Sequence, residues 1–345
     1  MKKTVAKRIV QLIFIALTLW TLWYLNLVLS VKSWHGIDQT RALYYQPRNT
    51  IDVVMLGSSR IHCGVNTATL WEEYGIAAYD YSSAEQPMWN SYYYLREFCK
   101  YQKPKVVVVD LFMAAYIHGD YHYDWIHQNL YGVRFSPNKV RMLFAAAEPA
   151  RIPEYFPSFF NYHDRYDEAT KEDFLYPFTA RRELAAFKGY TPYLNRVPQE
   201  RPVITAGETA QIGVKTEHYL MRIIDYCKQH DIGLVLMVTP YITNAQDQAV
   251  FERIGAIAAE KGVPMINGCD RYDEIGLDFE TDFNDGSHLN YWGASKYTSY
   301  LGRELLTHFA LEDHRGDPRY ASWDDNASEI RAYVEEHEGE EVIVW

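Results

Sequence analysis

Short apolar runs alternate with amphipathic stretches over two parts of the chain, residues 51–111 and 216–309. Residues 51–59, IDVVMLGSS, form an apolar block closing on Gly-Ser-Ser, the pattern of a buried strand ending in a tight turn. A helical stretch follows near Thr67–Tyr74, then a short strand around Ala77–Tyr81 and a helix over about Met88–Lys100. Lys105–Leu111, KVVVVDL, is a β-branched run of the kind buried on both faces of a parallel sheet. The alternation resumes with a helix at Thr216–His230, a strand at Gly233–Val238, a helix at Ala245–Lys261 and a strand at Val263–Ile266. A last amphipathic helix covers about Tyr291–Phe309. Strands alternating with helices of this length predict βαβ units, and so an α/β protein: a three-layer α/β/α sandwich on a central parallel sheet.

Between Met113 and Lys215 the alternation is lost, and the segment is crowded with Tyr, Phe, His and Pro. It leaves and re-enters between strands. That predicts a cap insertion, about 113–215, over the carboxyl edge of the sheet within a domain spanning 51–310. Residues 311–345 hold 11 Asp or Glu against three Arg, and are expected to form a solvated acidic tail with a marginal helix around Ala327–His337.

The amino-terminal end follows a different pattern. Residues 9–31 run without a charge, about 34 Å of helix against a hydrocarbon core of roughly 30 Å. Lys2, Lys3, Lys7 and Arg8 precede this stretch. Residues 1–8 are therefore expected to stay cytoplasmic, with 9–31 an uncleaved signal anchor, 32–50 a juxtamembrane connector and the remainder extracytoplasmic. Such a protein is a single-pass protein of the cell membrane without direct access to ATP, acyl-CoA or NAD pools, and no cofactor is expected.

Composition narrows the chemistry further. The chain has 345 residues and a formal net charge of -11, which argues against a nucleic-acid partner. Four cysteines without CxxC spacing exclude a zinc finger or a disulfide-stapled mini-domain, and their spacing leaves the pairing of Cys227 with Cys269 open.

Two strings carry the candidate chemistry. Gly57-Ser58-Ser59-Arg60 ends the first strand, where a serine hydroxyl projects at the carboxyl edge beside a helix amino terminus. Asn284-Asp285-Gly286-Ser287-His288-Leu289-Asn290 precedes the last helix. The Asp-x-x-His spacing lets the Asp285 carboxylate fold back on the His288 imidazole and set its tautomer; alone it more commonly marks an Asp helix cap beside a surface His. Taken together, the strings supply a nucleophile, a base and an orienting group in the order Ser…Asp…His.

On these motifs the chain resembles the SGNH (GDSL-like) hydrolase superfamily. It looks most like the membrane-anchored branch that includes the teichoic-acid D-alanyl transfer protein and the alginate O-acetyltransferase accessory proteins. The resemblance covers roughly residues 50–112 and 216–309. It implies Ser59 as nucleophile, His288 as base and Asp285 as orienting carboxylate, with Ser58 standing where the superfamily usually has Asp. It also implies a serine esterase or O-acyltransferase that moves acetyl or D-alanyl groups on a cell-envelope polysaccharide or teichoic acid. A membrane-bound O-acyltransferase protein would be its partner.

One departure concerns the oxyanion hole. The superfamily's Asn after the third strand is absent from VVVVDLFMAAY. The amides of Ser59 and of the Ser82–Ala84 turn, with Ser83 at its centre, are then the candidate donors, along with the Gln86 side chain. Arg165 and His163, in NYHDRYDE, are candidates for holding an anionic or carbonyl group of a substrate; an internal ion pair of Arg165 with Asp164, Asp167 or Glu168 fits equally well. His118, Asp120, His122, Asp124 and His127 have ligand chemistry but no helical scaffold, and no metal is expected. Two other readings stand beside the transferase: a stand-alone deacylase, and a catalytically silent glycan-binding subunit of an envelope-modification complex.

Overall fold

A computed structural model describes residues 2–30, 34–156, 158–178, 185–203 and 210–339. Two compact units emerge. One comprises the amino-terminal helix with residues 149–178; the other comprises residues 34–148 and 185–339. The expected single cap is thereby divided. Residues 149–178 belong with the amino-terminal helix, whereas 112–148 and 185–203 are built into the α/β body.

In the first unit, α1 (Lys2–Leu29) is long and apolar enough to cross a membrane; it is exposed from Thr4 to Trp23 and becomes buried by Val28 and Leu29.

The second unit is built on a five-stranded parallel sheet in the order β2-β1-β3-β4-β5. The strands are β1 (Val53–Leu56), β2 (Ala78–Asp80), β3 (Val106–Asp110), β4 (Gly233–Val238) and β5 (Met265–Asn267). β1 and β3 are buried on both faces, as their continuous apolar runs predict. The flanking helices include α2 (Ser59–Gly64), α3 (Thr67–Tyr74), α4 (Met88–Phe98), α5 (Phe112–Tyr116), α6 (Ile126–Tyr131), α7 (Pro137–Ala146), α8 (Val214–Gln229), α9 (Ala245–Lys261), α10 (Tyr291–His308) and α11 (Ala321–His337). In this order the chain leaves the centre of the sheet in opposite directions from β1 and β3. The carboxyl ends of those two strands flank the switch point where open α/β sheets bind ligands. Ser59 lies just beyond β1, after Gly57 and Ser58.

The cap segment 112–148 packs against α4: the Tyr94 hydroxyl donates to the Asn129 carbonyl at 2.9 Å, and Asn138 Nδ2 to the Tyr93 carbonyl at 2.9 Å. After a turn at Lys188-Gly189, residues 190–199 pass the site elements without forming helix or strand. Thr191 N–H donates to the His62 carbonyl, Val197 N–H to Phe283 and Gln199 N–H to Phe279. Backbone groups in a buried connection must find partners, and here they find them in the α/β body.

The acidic tail is also docked, contrary to the solvated segment its charge suggests. α11 starts at Ala321, and Trp323, Ala327, Ile330 and Val334 are buried at helical spacing. Trp323 Nε1 donates to the Ala78 carbonyl of β2 at 3.3 Å, and Lys188 Nζ lies 4.0 Å from its ring centre. Just before it, His314 Nε2 meets Asp52 Oδ2 at 2.5 Å beside β1. The acidic residues occupy the outward face and hide an apolar stripe. Trp323→Phe, which keeps the ring and removes the N–H, is expected to cost about 1 kcal/mol in urea unfolding. An unchanged midpoint would mean this hydrogen bond adds nothing to the fold.

Asp80, at the end of β2, is fully buried, and neither carboxyl oxygen has a hydrogen-bond partner among the described residues. Burial pushes its pKa well above the carboxylate range. The folded state therefore favours the neutral acid, and its stability falls as pH rises above about 4, where the unfolded chain alone ionises Asp80. Asp80→Asn is expected to melt higher than the wild type at pH 7 to 8, with the difference shrinking toward pH 4. A pH-independent difference between the two would refute this.

Candidate active site

Where β1 ends, the chain turns at Gly57. A Cβ there would sit 2.8 Å from the Asp110 Cβ and 2.9 Å from Ile61 Cγ1, so only glycine lets the turn approach β3 this closely. Ser58 caps α2, its hydroxyl accepting from the Arg60 N–H. Ser59 takes the first position of α2, half-buried, where its own N–H has no acceptor within the helix.

The Asp285–His288 string is a hairpin rather than a helix cap. β6 (Phe283–Asp285) pairs antiparallel with β7 (His288–Leu289), and Asp285 lies opposite His288 across the Gly286-Ser287 turn. Asn290 provides the helix cap: its Oδ1 accepts from Trp292 and Gly293 at 3.1 Å, while its Nδ2 donates to the Thr281 carbonyl at 2.7 Å. The hairpin is thereby fastened to α10.

Across a separation of 229 residues, His288 Nε2 lies 2.8 Å from Ser59 Oγ. His288 Nδ1 lies 3.0 Å from both oxygens of Asp285. With the Nδ1 proton directed at the carboxylate, Nε2 is left as an acceptor facing the serine hydroxyl. Asp285 also accepts from the Ser287 N–H at 2.7 Å and from Asn284 Nδ2 at 3.0 Å. Burial works against the charged carboxylate, but the His288, Asn284 and Ser287 hydrogen bonds outweigh it and hold Asp285 well below its usual range. Tyr193 meets the outer part of the imidazole edge-to-face, with ring centres 5.7 Å apart.

Arg60 has a place in this arrangement that its position in the sequence does not announce. Its buried guanidinium lies 3.4 Å from the ring centre of Phe112 and 3.9 Å from that of Tyr241. It donates through Nη1 to the Ser287 carbonyl in the hairpin turn. The residue after Ser59 thus holds the loop that carries His288. A cation followed by an aromatic just beyond each of β3 and β4 is the one sequence signal that could have revealed this sandwich.

The other candidate residues are placed differently. The Ser83 N–H donates to the Gly57 carbonyl at 3.3 Å, so this amide is taken up by the turn itself rather than left for an oxyanion. Gln86 is buried, and its Nε2 donates to Ser91 Oγ at 3.0 Å. Arg165 and His163 fall in the unit of α1. There Arg165 donates to the Leu29 carbonyl at 2.8 Å and pairs with Glu168 at 2.9 Å, the internal ion pair weighed for it above. Asp110 accepts from Thr239 N–H at 3.0 Å and from Phe112 N–H at 3.2 Å, which ties the ends of β3 and β4 together.

Of the His and Asp residues in the cap, His122 and Asp124 come together with Glu85, their ligand atoms within 4.8 Å of one another. His122 and Glu85 are hydrogen-bonded at 2.6 Å. His118, Asp120 and His127 stand outside this group. All four cysteines are free thiols. Cys63, beneath Ser59, donates to the Ser59 carbonyl at 2.7 Å, and burial pushes its pKa well up, which keeps it a thiol rather than a thiolate.

No family model matches the chain, and no curated protein matches it. A crystal structure from Bacteroides fragilis NCTC 9343, described as a "putative acylhydrolase", is similar at 11% identity and a TM-score of 0.39, covering 78% of this chain and 94% of that one. So slight a likeness leaves the chemistry to be read from the site itself.

Proposed function

We propose that this protein is a serine-dependent acyl-transfer enzyme, an esterase or O-acyltransferase, with Ser59 as nucleophile. The observation that carries this reading is the continuous hydrogen-bonded line from Ser59 Oγ through His288 to Asp285. A serine hydroxyl is a weak nucleophile at neutral pH and needs an adjacent base in the right tautomer. Ser59 Oγ attacks the ester carbonyl carbon while its proton passes to His288 Nε2. As the carbon–oxygen bond to the leaving alcohol breaks, His288 returns that proton to the departing oxygen. In the second half-reaction His288 deprotonates water or an acceptor hydroxyl, which attacks the acyl-serine and releases Ser59. Asp285 stays ionised throughout and stabilises the imidazolium. The Ser59 N–H is positioned to serve the developing oxyanion.

The finer reading places this chemistry outside the membrane, on O-acyl groups of a cell-envelope polysaccharide or teichoic acid. A membrane-bound O-acyltransferase would supply the acetyl or D-alanyl group. The apolar α1 with its preceding basic residues supports the location, and the motif resemblance supports the substrate class and the partner.

Intact mass spectrometry of the full-length protein after treatment with a fluorophosphonate tests the core of the proposal. A single adduct on Ser59, absent from Ser59→Ala, is expected. A folded wild type that forms no adduct refutes an activated serine.

A further inference from the structure

We infer that residues 149–178 form a collar seated in the outer interface of the lipid bilayer, with Phe174, Leu175 and Phe178 dipping toward the acyl chains. The inference rests on α1 crossing the bilayer, and it adds a second membrane contact separate from that span.

The collar is fastened to the far end of α1. Tyr24 Oη donates to the Phe174 carbonyl at 2.9 Å, Ser158 Oγ to Asn26 Oδ1 at 2.8 Å, and Arg165 Nη1 to the Leu29 carbonyl at 2.8 Å. The Tyr24 and Phe178 ring centres are 5.8 Å apart, and Tyr24 stacks on Trp20. Exposure along α1 falls at Tyr24, where the first of these contacts is made.

Length then sets the depth. From Ile9 to Leu29 the helix rises about 30 Å, the whole thickness of a hydrocarbon core. If the span ended before the collar, Ile9 to Trp23 would supply only about 21 Å. The turn from Tyr24 to Leu29, about 8 Å of rise, is therefore needed within the outer boundary of the bilayer. Whatever is hydrogen-bonded to that turn lies at the same level, the depth at which interfacial amphipathic segments bury their apolar faces.

The collar has the surface for it. Phe174 is 46% exposed, Leu175 43%, Phe178 67% and Tyr166 74%, four large apolar side chains left open on one short segment. Several of its polar groups pair within it. Arg151 meets Glu154 at 2.8 Å, Arg165 meets Glu168 at 2.9 Å, and Thr170 and Asp173 form a capping box at the helix Lys171–Leu175. Residues 149–178 carry three Lys or Arg against six Asp or Glu. Attraction to anionic headgroups thus cannot drive seating, and apolar burial must.

The test uses the full-length chain, with Cys99→Ser, reconstituted in phosphatidylcholine vesicles. Nitroxide labels are placed one at a time at Phe178→Cys, Leu175→Cys and Tyr166→Cys, with Leu12→Cys marking the bilayer interior. Relaxation by oxygen, which partitions into lipid, is compared with relaxation by a nickel chelate, which stays in water. At positions 175 and 178 the oxygen-to-nickel ratio is expected to lie several-fold above that of free label in water and below that of position 12. Water-like ratios at 166, 175 and 178 with a lipid-like position 12 would overturn the collar and leave the anchor standing. A water-like position 12 would overturn both. Labels shielded from both relaxants would show a protein covering this face instead, and would also refute the proposal.

Discussion

Replacing His288 with alanine is expected to slow fluorophosphonate labelling of Ser59, and turnover of any ester substrate, by about 10,000-fold or more. The alanine leaves Ser59 in place but removes the only imidazole within reach of its hydroxyl among the described residues. Asp285→Asn is the more telling partner. Its amide side chain can still meet His288 Nδ1, but as a donor it favours the tautomer whose proton sits on Nε2, facing Ser59. A loss of the same order, about 10,000-fold, is therefore expected with the hairpin intact. Because Asp285 is held ionised well below its usual range, its charge is present from mildly acidic to alkaline pH. Wild-type labelling should accordingly show no inflection from this carboxylate above pH 5. Near-wild-type labelling in Asp285→Asn would remove Asp285 from the mechanism, and near-wild-type labelling in His288→Ala would remove the base.

Arg60→Met is expected to cost about 2–4 kcal/mol of stability, since it removes a desolvated cation–π sandwich and a charged hydrogen bond together. The Ser287 carbonyl then loses its donor and the hairpin turn loses its tether to α2. Labelling of Ser59 should fall by one to two orders of magnitude even at temperatures where the variant is fully folded, because a shift of about 1 Å in the base costs on that scale. For a substrate, kcat should drop more than KM rises. Arg60→Lys keeps the charge but not the planar face between Phe112 and Tyr241, and should recover only part of the rate. If Arg60→Met is destabilised but labels at the wild-type rate while folded, Arg60 is structural only.

Much of the fold was legible because its signals are local. The runs VVML, VVVVD and GLVLMV are strands by β-branching and length, and the helices between them follow the period of their apolar residues. The helix over Ser59–Gly64 is legible only as a helix start beside the serine, without bounds, being too short for periodicity to report. The β6–β7 hairpin escaped for a similar reason: a strand of three residues facing one of two leaves no alternation to read. The docked tail is a different kind of miss. Trp323, Ala327, Ile330 and Val334 do recur at helical spacing, but 11 acidic residues in the same segment outweighed that stripe. The cap was misread as one body because loss of alternation marks where regular structure pauses, not which surface each stretch will cover.

What the sequence determined by itself is the α/β alternation, the apolar length of α1, a serine closing the first strand, and a carboxylate three residues before a histidine. Each follows from neighbours along the chain, through side-chain periodicity, turn chemistry or helix rise. Only the tertiary structure decided the strand order β2-β1-β3-β4-β5, the 2.8 Å approach of His288 to Ser59, the enclosure of Arg60 between two aromatics, and the commitment of the Ser83 amide to Gly57. These depend on which distant segments pair and in what register. That choice is made by the burial and hydrogen bonding of the whole sheet at once, and no local window of the chain contains it.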